Sequence, residues 1–456
     1  MMTLAELTAL IPDATLNGDP NLTFSQVSTD TRALPERCLF FALQGERFDA
    51  HDFAHEAVAR GAVALVVNRP MVLPIPQVIV PDTRLALGWA AAGWRQRFTL
   101  PLITVSGSNG KTTVTQMLAA ILAAAHRESG RLATKGNLNN DIGVPLTLFR
   151  LNGQHRAAVI ELGMNHPGEI DYLAQLTQPT VALVNNAQRE HQEFMGTVEA
   201  TAHENGASIA ALPADGVAVF PADDACAPIW RTLAGSRAIM DFGFTRMAAI
   251  QARRSPASTG MLLHLKTPSG TTDIPLQLVG AHNAHNAAAA AAAALAAGIP
   301  LSAVERGLSG FSPVAGRGVI RQTPTGATAI DDTYNANPDS VRAAIDLLAG
   351  LASPRILVLG DMGEVGQQGP EFHTEIGDYA REKDLDAVLA LGDLCHHTIA
   401  AFNRDGSAQG RHFSDIDALI SAAKTATLSG GNLLIKGSRF MRMERVVQAL
   451  CDGVTP

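Results

Sequence analysis

Seven consecutive residues, Gly107-Ser108-Asn109-Gly110-Lys111-Thr112-Thr113, bring together two glycines, a lysine and three hydroxyls. Those types at that spacing suit phosphate chemistry. The glycines let backbone N–H groups close around phosphate oxygens, and a helix starting at the loop adds positive potential. Lys111 then reaches the β- and γ-phosphates, and the Thr112 hydroxyl can ligate Mg²⁺. The flanking sequence supplies the context this chemistry needs. Apolar Leu102-Ile-Thr-Val reads as a strand, and Val114, Met117, Leu118, Ile121 and Leu122 recur on one face of a following helix. The usual G-x-x-x-x-G-K spacing would place a glycine where Val105 stands, so this P-loop is a shortened variant.

Other polar residues fall at the ends of apolar runs. Glu161 follows Ala158-Val-Ile, and His191 lies just beyond Val181-Ala-Leu-Val-Asn-Asn. Ligands of open α/β sheets sit at the carboxyl ends of strands. A carboxylate and a neutral imidazole there can hold a Mg²⁺ that bridges phosphate oxygens. The plainer readings are a surface charge and a hydrogen-bonded structural histidine. Asn283 and Asn286, in Gly280-Ala-His-Asn-Ala-His-Asn, open an alanine-rich helix. They read either as helix caps or as amides facing an adenine edge. Further on, polar groups follow each apolar run: Asp332-Thr-Tyr334-Asn335-Ala-Asn337-Pro338, Gly360-Asp361, Gly392-Asp393 and Lys436-Gly-Ser-Arg439. Asn337-Pro338 reads as an N-cap with proline at the first helical position. No G-x-G-x-x-G sequence marks a dinucleotide site.

The elements that must position these residues divide the chain into three. At about 150 residues per domain, 456 residues suggest three domains. Residues 1–85 mix short strands and turns, including Cys38-Leu-Phe-Phe-Ala-Leu and Ala64-Leu-Val-Val, and close in the Pro-rich stretch Pro70 to Pro81. Residues 86–315 alternate strands with helices, which predicts a parallel sheet, with a more antiparallel stretch from Met261 to Leu278. Residues 316–456 begin a second alternation, with strands Arg355-Ile-Leu-Val-Leu, Ala387-Val-Leu-Ala-Leu and Asn432-Leu-Leu-Ile-Lys. The fold class is thus α/β: a small N-terminal α/β domain, a central P-loop parallel-sheet ATPase domain and a Rossmann-like doubly wound C-terminal domain.

Composition narrows the function. With 35 basic and 43 acidic residues the net charge is −8, a poor match for a nucleic-acid backbone. An anionic substrate must then be held by local groups. The N-terminus lacks a basic region ahead of an apolar run, so no signal peptide is expected. The alanine run Ala287 to Ala297 is too short and too weakly apolar to insert in a membrane. Four widely spaced cysteines form no C-x-x-C pair. Reduced thiols in a cytoplasmic, monomeric protein are expected.

Taken together, these residues resemble the Mur ligase family, whose short P-loop has the form seen at Gly107 to Thr113. Further matches are Gly136-Asn-Leu-Asn-Asn-Asp-Ile-Gly-Val-Pro, Glu161-Leu-Gly-Met-Asn-His-Pro-Gly-Glu-Ile, Asp332-Thr-Tyr-Asn-Ala-Asn-Pro and Lys436-Gly-Ser-Arg. They favour the members that add D-alanyl-D-alanine, because the Asp-Asn-Pro-Arg motif of the diaminopimelate-adding ligase is absent. The resemblance implies ATP- and Mg²⁺-dependent joining of D-alanyl-D-alanine to a UDP-N-acetylmuramoyl-tripeptide, in peptidoglycan precursor synthesis. It implies that Ser28, Asp30, Arg32, Gly45, Arg47 and Asp49 hold the UDP end, and that Asn137, Asn139 and Asn140 face substrate. Arg317 would lie near the ATP phosphates and Asp332 near the ribose. Tyr334, Asn335, Lys436 and Arg439 would face the substrates. For Arg32 and Asp49 the plainer reading is a surface ion pair.

One position departs from the family pattern. Mur ligases generally carry a lysine, carbamylated to help hold a second Mg²⁺, in an Ala-Lys-Gly-Glu context after the metal-binding histidine. Here Ala202-His203-Glu204-Asn205-Gly206-Ala207 places Asn205 there, and asparagine forms no carbamate. Its amide oxygen is expected to touch at most the cation or its water. Two rivals remain. Folylpolyglutamate synthase shares the P-loop type but not the asparagine-rich Gly136 to Pro145 segment, and a GTP switch protein would need an Asn-Lys-x-Asp signature the chain lacks.

Overall fold

The computed structural model describes residues 1–45, 48–257, 260–406 and 409–451. A five-stranded sheet comes first, in the order Thr15–Asn17, Gln77–Ile79, Ala62–Val67, Cys38–Phe41, Gln26–Ser28. Only Thr15–Asn17 runs antiparallel to its neighbour. The Pro-rich stretch, expected to be merely a domain edge, contributes a strand to this sheet. Pro76 and Pro81 flank Gln77–Ile79 rather than occupy its paired positions, so no ladder donor is lost.

The helix Thr83–Arg95 follows, capped by Asp82, and joins this sheet to the next. Phe41, Val66, Leu87, Leu102, Val144 and Leu162 lie in one continuous buried cluster. The central sheet has six parallel strands, in the order Ala238–Ile239, Val217–Val219, Val181–Val184, Leu102–Ser106, Ala157–Glu161, Arg131–Ala133. Leu102–Ser106 is buried along its whole length, as a central parallel strand covered on both faces must be. Its residues lead straight into the P-loop.

The helix Lys111–His126 turns Val114, Met117, Leu118, Ile121 and Leu122 into the core, as their spacing predicts. Against it lies the helix Ala281–Ala296, whose alanines 287 to 294 are all fully buried. Small side chains let that helix approach its neighbours closely. Beneath them a four-stranded sheet carries the antiparallel hairpin Met261–Thr267 and Gly270–Leu276.

The C-terminal sheet has the order Val319–Gln322, Thr328–Asp332, Asn432–Lys436, Arg355–Gly360, Ala387–Leu391, Gln409–Phe413. All pairs are parallel except the first. Separate apolar clusters cover its two faces, so the segment is doubly wound. Among the described residues no helix is long and apolar enough to cross a membrane.

Candidate active site

The P-loop owes its shape to crowding as much as to glycine flexibility. Gly107 and Gly110 have φ of +125° and +82°. A Cβ on Gly107 would lie 2.9 Å from the Asn185 nitrogen, and one on Gly110 only 2.3 Å from Asn286 Oδ1. Both glycines are therefore required by space and by backbone angle. Gly110 is the N-cap of the helix Lys111–His126, whose first N–H groups face a cavity of about 1110 Å³.

Lys111 and Thr112 are engaged within this cavity. Lys111 Nζ donates to Gly107 O (2.6 Å), Ser108 O (3.2 Å) and Glu190 Oε1 (2.6 Å). Thr112 Oγ1 donates to Glu161 Oε1 (3.2 Å), which also accepts from Asn139 Nδ2 (2.8 Å). Arg317 Nη2, from the C-terminal segment, donates to Thr112 Oγ1 at 2.9 Å. Glu161 and Glu190 are almost fully buried. Glu161 Oε2, Glu190 Oε2 and Arg317 Nε have no hydrogen-bond partner among the described residues, which is costly for buried polar atoms. The unpaired Glu161 Oε2 beside the Thr112 hydroxyl offers hard-oxygen donors of the kind Mg²⁺ takes, whereas Glu190 pairs with Lys111.

His191 stands beside this group with a left-handed backbone, φ 49°. Its Nδ1 lies 2.7 Å from Glu364 Oε2, and its Nε2 lies 3.6 Å from Glu190 Oε1. Burial pushes its pKa down, but the two carboxylates outweigh that and raise it to about 9. The two carboxylates thus favour the protonated form of a histidine that the sequence reading takes as a neutral metal ligand. Glu364 in turn is held below the usual carboxylate range by its hydrogen bond to His191.

Most of the residues singled out by sequence line this one cavity. They are Ser108 to Thr113, Asn139, Asn140, Glu161, His191, Asn283, Asn286, Arg317, Asp332, Tyr334, Asn335 and Lys436. Asn283 and Asn286 are not caps. Gly280 is the N-cap, and the two asparagines lie too far into the helix to serve. Asn283 Nδ2 instead donates to Val279 O (2.8 Å), and Asn286 Oδ1 accepts from Asn185 Nδ2 (2.9 Å). Lys436 is buried and donates to Asp332 Oδ2 (2.7 Å) and Asn335 O (2.9 Å) across the register that pairs their strands. The Arg317 guanidinium stacks 4.1 Å from the Tyr334 ring.

Other candidates do not reach the cavity. Asn137 is exposed, and its carbonyl accepts the Asn139 N–H. Arg439 is exposed, pairs with Glu444 and faces Tyr334 from 5.9 Å. Ser28, Asp30, Arg32, Gly45 and Asp49 lie in the N-terminal sheet region, away from the P-loop. Arg32 hydrogen-bonds Asp30, holding that carboxyl at about 2. Asp49 caps a short helix and contacts His51 and Arg69. Arg47 lies outside the described residues.

Asn205 differs from expectation. It is almost fully buried, and its Oδ1 accepts the Gly107 N–H at 2.7 Å while its Nδ2 donates to Thr201 O at 3.1 Å. The amide oxygen thus braces the P-loop, while the amide nitrogen bonds back to its own helix. Glu204, one residue back, points elsewhere and accepts the N–H groups of Gly168 and Ile170.

Three partners escaped sequence reading: Glu190 on Lys111, Asn337 on Asn109, and Arg189 on Asp339 and Glu375. Glu190 carried the one available signal, since it directly precedes His191 beyond a strand end. Asp361, His373 and Cys395 also cluster closely, but as structure. Both His373 nitrogens are taken, Nε2 by the Met362 N–H and Nδ1 by Gly369 O.

Comparison with known proteins matches this geometry to a family. Residues 105–294 match the Mur ligase middle domain, residues 316–439 the Mur ligase glutamate ligase domain, and residues 23–95 the Mur ligase family catalytic domain. The chain is 41% identical to UDP-N-acetylmuramoyl-tripeptide–D-alanyl-D-alanine ligase of Escherichia coli strain K12, over 100% of this chain and 99% of that protein. The chain belongs to the Mur ligase family. Its similarity to the Haemophilus influenzae ligase of the same name is 39%, over 98% of each chain. Among solved structures, this Mur ligase superposes on MurF from Acinetobacter baumannii with a TM-score of 0.91, at 34% identity over 98% of both chains. On MurF from Thermotoga maritima in complex with ADP the TM-score is 0.80, at 25% identity over 93% of this chain and 96% of that one. Folylpolyglutamate synthase of Mycobacterium tuberculosis, at 20% identity and a TM-score of 0.66, shares the fold.

Proposed function

We propose that this Mur ligase joins D-alanyl-D-alanine to UDP-N-acetylmuramoyl-tripeptide at the expense of ATP. The observation that carries the reading is the Arg317–Thr112 contact, which brings a cation of the C-terminal segment onto the P-loop hydroxyl. A site assembled from two segments suits a reaction that must bring three substrates together and keep water out. The full-length similarity to ligases of that name supports the choice of substrates.

The chemistry follows from charge. The tripeptide carboxylate attacks the γ-phosphorus, its new bond forming as the bond to the ADP oxygen breaks. The amine of D-alanyl-D-alanine then attacks the acyl carbon, loses a proton, and inorganic phosphate departs. The first step brings two anions together. Lys111 and the loop N–H groups offset that repulsion once Lys111 exchanges Glu190 for a phosphate oxygen. Arg317, with Nε unpaired, adds a second cation on the same side. Thr112, Glu161 and His191 would hold Mg²⁺, His191 through its neutral imidazole, with Glu190 beside His191. Bound there, the ion would supply charge neutralisation to the phosphates. Asn283, Asn286 and Asp332 line the cavity, where the asparagines would face the adenine and Asp332 the ribose. The N-terminal sheet region would take the UDP end, the central sheet ATP, and the C-terminal sheet the amino substrate.

Phosphate release measured with ATP and the tripeptide nucleotide, with and without D-alanyl-D-alanine, tests the reading. Sustained release only when all three are present is expected. Equal release with and without the dipeptide contradicts it.

A further inference from the structure

The cavity has a second charged station, away from the P-loop. The helix Thr83–Arg95 begins at its rim, where Asp82 Oδ1 accepts the N–H groups of Arg84 (2.7 Å) and Leu85 (3.0 Å). From that first turn the Arg84 guanidinium reaches Asp141. Its Nη2 donates to Asp141 Oδ1 at 2.9 Å, and its Nε contacts Oδ2. Both residues line the cavity, and their side chains are 51% and 27% exposed, so a solute can reach the pair. Tyr172 stands next to it. Burial, reinforced by the Asp141 charge, pushes this phenol up to about 12, which keeps it a neutral hydrogen-bond donor.

The pair lies within reach of the reacting centre. Asp141 is two residues beyond Asn139, whose Nδ2 touches Glu161 Oε1 at 2.8 Å. Two residues advance a chain by at most ~7 Å. A carboxylate activated beside Lys111 and Glu161 therefore leaves its own side chain about one extended chain length from Arg84 and Asp141. That carboxylate belongs to the third residue of the acceptor peptide.

We propose that Arg84 and Asp141 read the far end of that third residue and select diaminopimelate over lysine. This rests on the ligase reading above. Diaminopimelate ends in a carbon bearing both a carboxylate and an ammonium. The planar Arg84 fork fits the carboxylate in bidentate fashion, and Asp141 accepts the ammonium, so both charges of the existing pair are exchanged for matching partners. Lysine offers an ammonium alone. It can engage Asp141 only by drawing it from Arg84, which leaves the guanidinium facing a second cation with only the more distant Asp82 carboxylate to offset it. Discrimination then comes from a poorly compensated charge on the wrong substrate, which rejects more strongly than a missing contact does.

The test uses two tripeptide nucleotides, identical except for diaminopimelate or L-lysine at the third position. Full-length wild type, Arg84→Gln and Arg84→Lys are assayed with each under saturating ATP and D-alanyl-D-alanine. Wild type is expected to favour diaminopimelate in kcat/KM by on the order of tenfold to a hundredfold. In Arg84→Gln that ratio collapses towards one through the KM of the diaminopimelate nucleotide. Arg84→Lys, which keeps the charge but not the fork, falls between, and it carries the test if the glutamine variant does not fold. Equal use of both nucleotides by wild type overturns the proposal while leaving the ligase reading intact. An equal loss on both nucleotides in the variants also overturns it, because a merely structural ion pair behaves that way. Ligation of neither nucleotide by wild type strikes the ligase reading, and this proposal with it.

Discussion

Arg189 and Asp339 form a two-pronged ion pair between the loop after the central strand Val181–Val184 and the first turn of the C-terminal helix Pro338–Ala349. Arg189 Nη2 lies 2.7 Å and Nε 3.1 Å from Asp339 Oδ1, and the backbone N–H of Arg189 donates to Oδ2 at 2.8 Å. Glu375 receives the other side of the same guanidinium at 2.6 Å. Asp339 follows Asn337 closely, and Asn337 Nδ2 donates to Asn109 Oδ1 of the P-loop at 3.0 Å. One short stretch thus ties the C-terminal helix to both the loop and the strand end that precedes His191.

Arg189→Ala should therefore cost kcat on the order of tenfold to a hundredfold, by misplacing Arg317 and Tyr334 relative to the P-loop. Steady-state rates check this. An unchanged kcat would show that the seam does not set the catalytic geometry.

The same seam has a pH signature. The hydrogen bond from Arg189 holds the Glu375 carboxyl below its ordinary value of 4.5. A depressed carboxyl contributes stability above its unfolded value, and that contribution fades as pH falls through the folded one. Wild type should melt above Glu375→Gln at pH 7, and the gap should close as pH falls below 4.5. A gap of constant size across that range contradicts the assignment.

Lys111→Ala should lower turnover by about a thousandfold, since it removes the charge aimed at the transferring phosphoryl group. The melting curve should move little, because the P-loop is also braced by Asn185, Asn205 and Asn286. Near wild-type turnover would remove the P-loop from the mechanism.

Glu161→Gln and His191→Ala should each raise the Mg²⁺ concentration needed for half-maximal activity. Titration of the metal at saturating ATP reads this directly. The same midpoint in both variants as in wild type returns the two side chains to a structural role.

Much of this site could be read from residue order alone, because strand, glycine loop and helix are adjacent in the chain. The strand ends at Glu161 and His191 were legible for a related reason, since apolar runs stop where the carboxyl edge of a sheet begins. The contacts that hold these groups were not. Lys111 meets Glu190 and Arg189 meets Asp339 across 79 and 150 residues, and no local pattern encodes such pairs. Asn205 shows the limit most clearly. Its position in the chain suggested a metal neighbour, but its amide oxygen accepts the Gly107 N–H 98 residues away, a contact no local pattern announces. The strand Gln77–Ile79 was hidden by its flanking prolines, which discourage pairing only at the positions they occupy.

The central claim is that the tripeptide carboxylate is phosphorylated before the amide forms. Its most direct test labels that carboxylate with ¹⁸O, runs one complete ligation with ATP and D-alanyl-D-alanine, and weighs the released phosphate by mass spectrometry. An acyl phosphate passes one carboxylate oxygen to phosphate, so each phosphate should carry one ¹⁸O from a fully labelled carboxylate. Phosphate free of the label, formed alongside the amide product, would contradict the account.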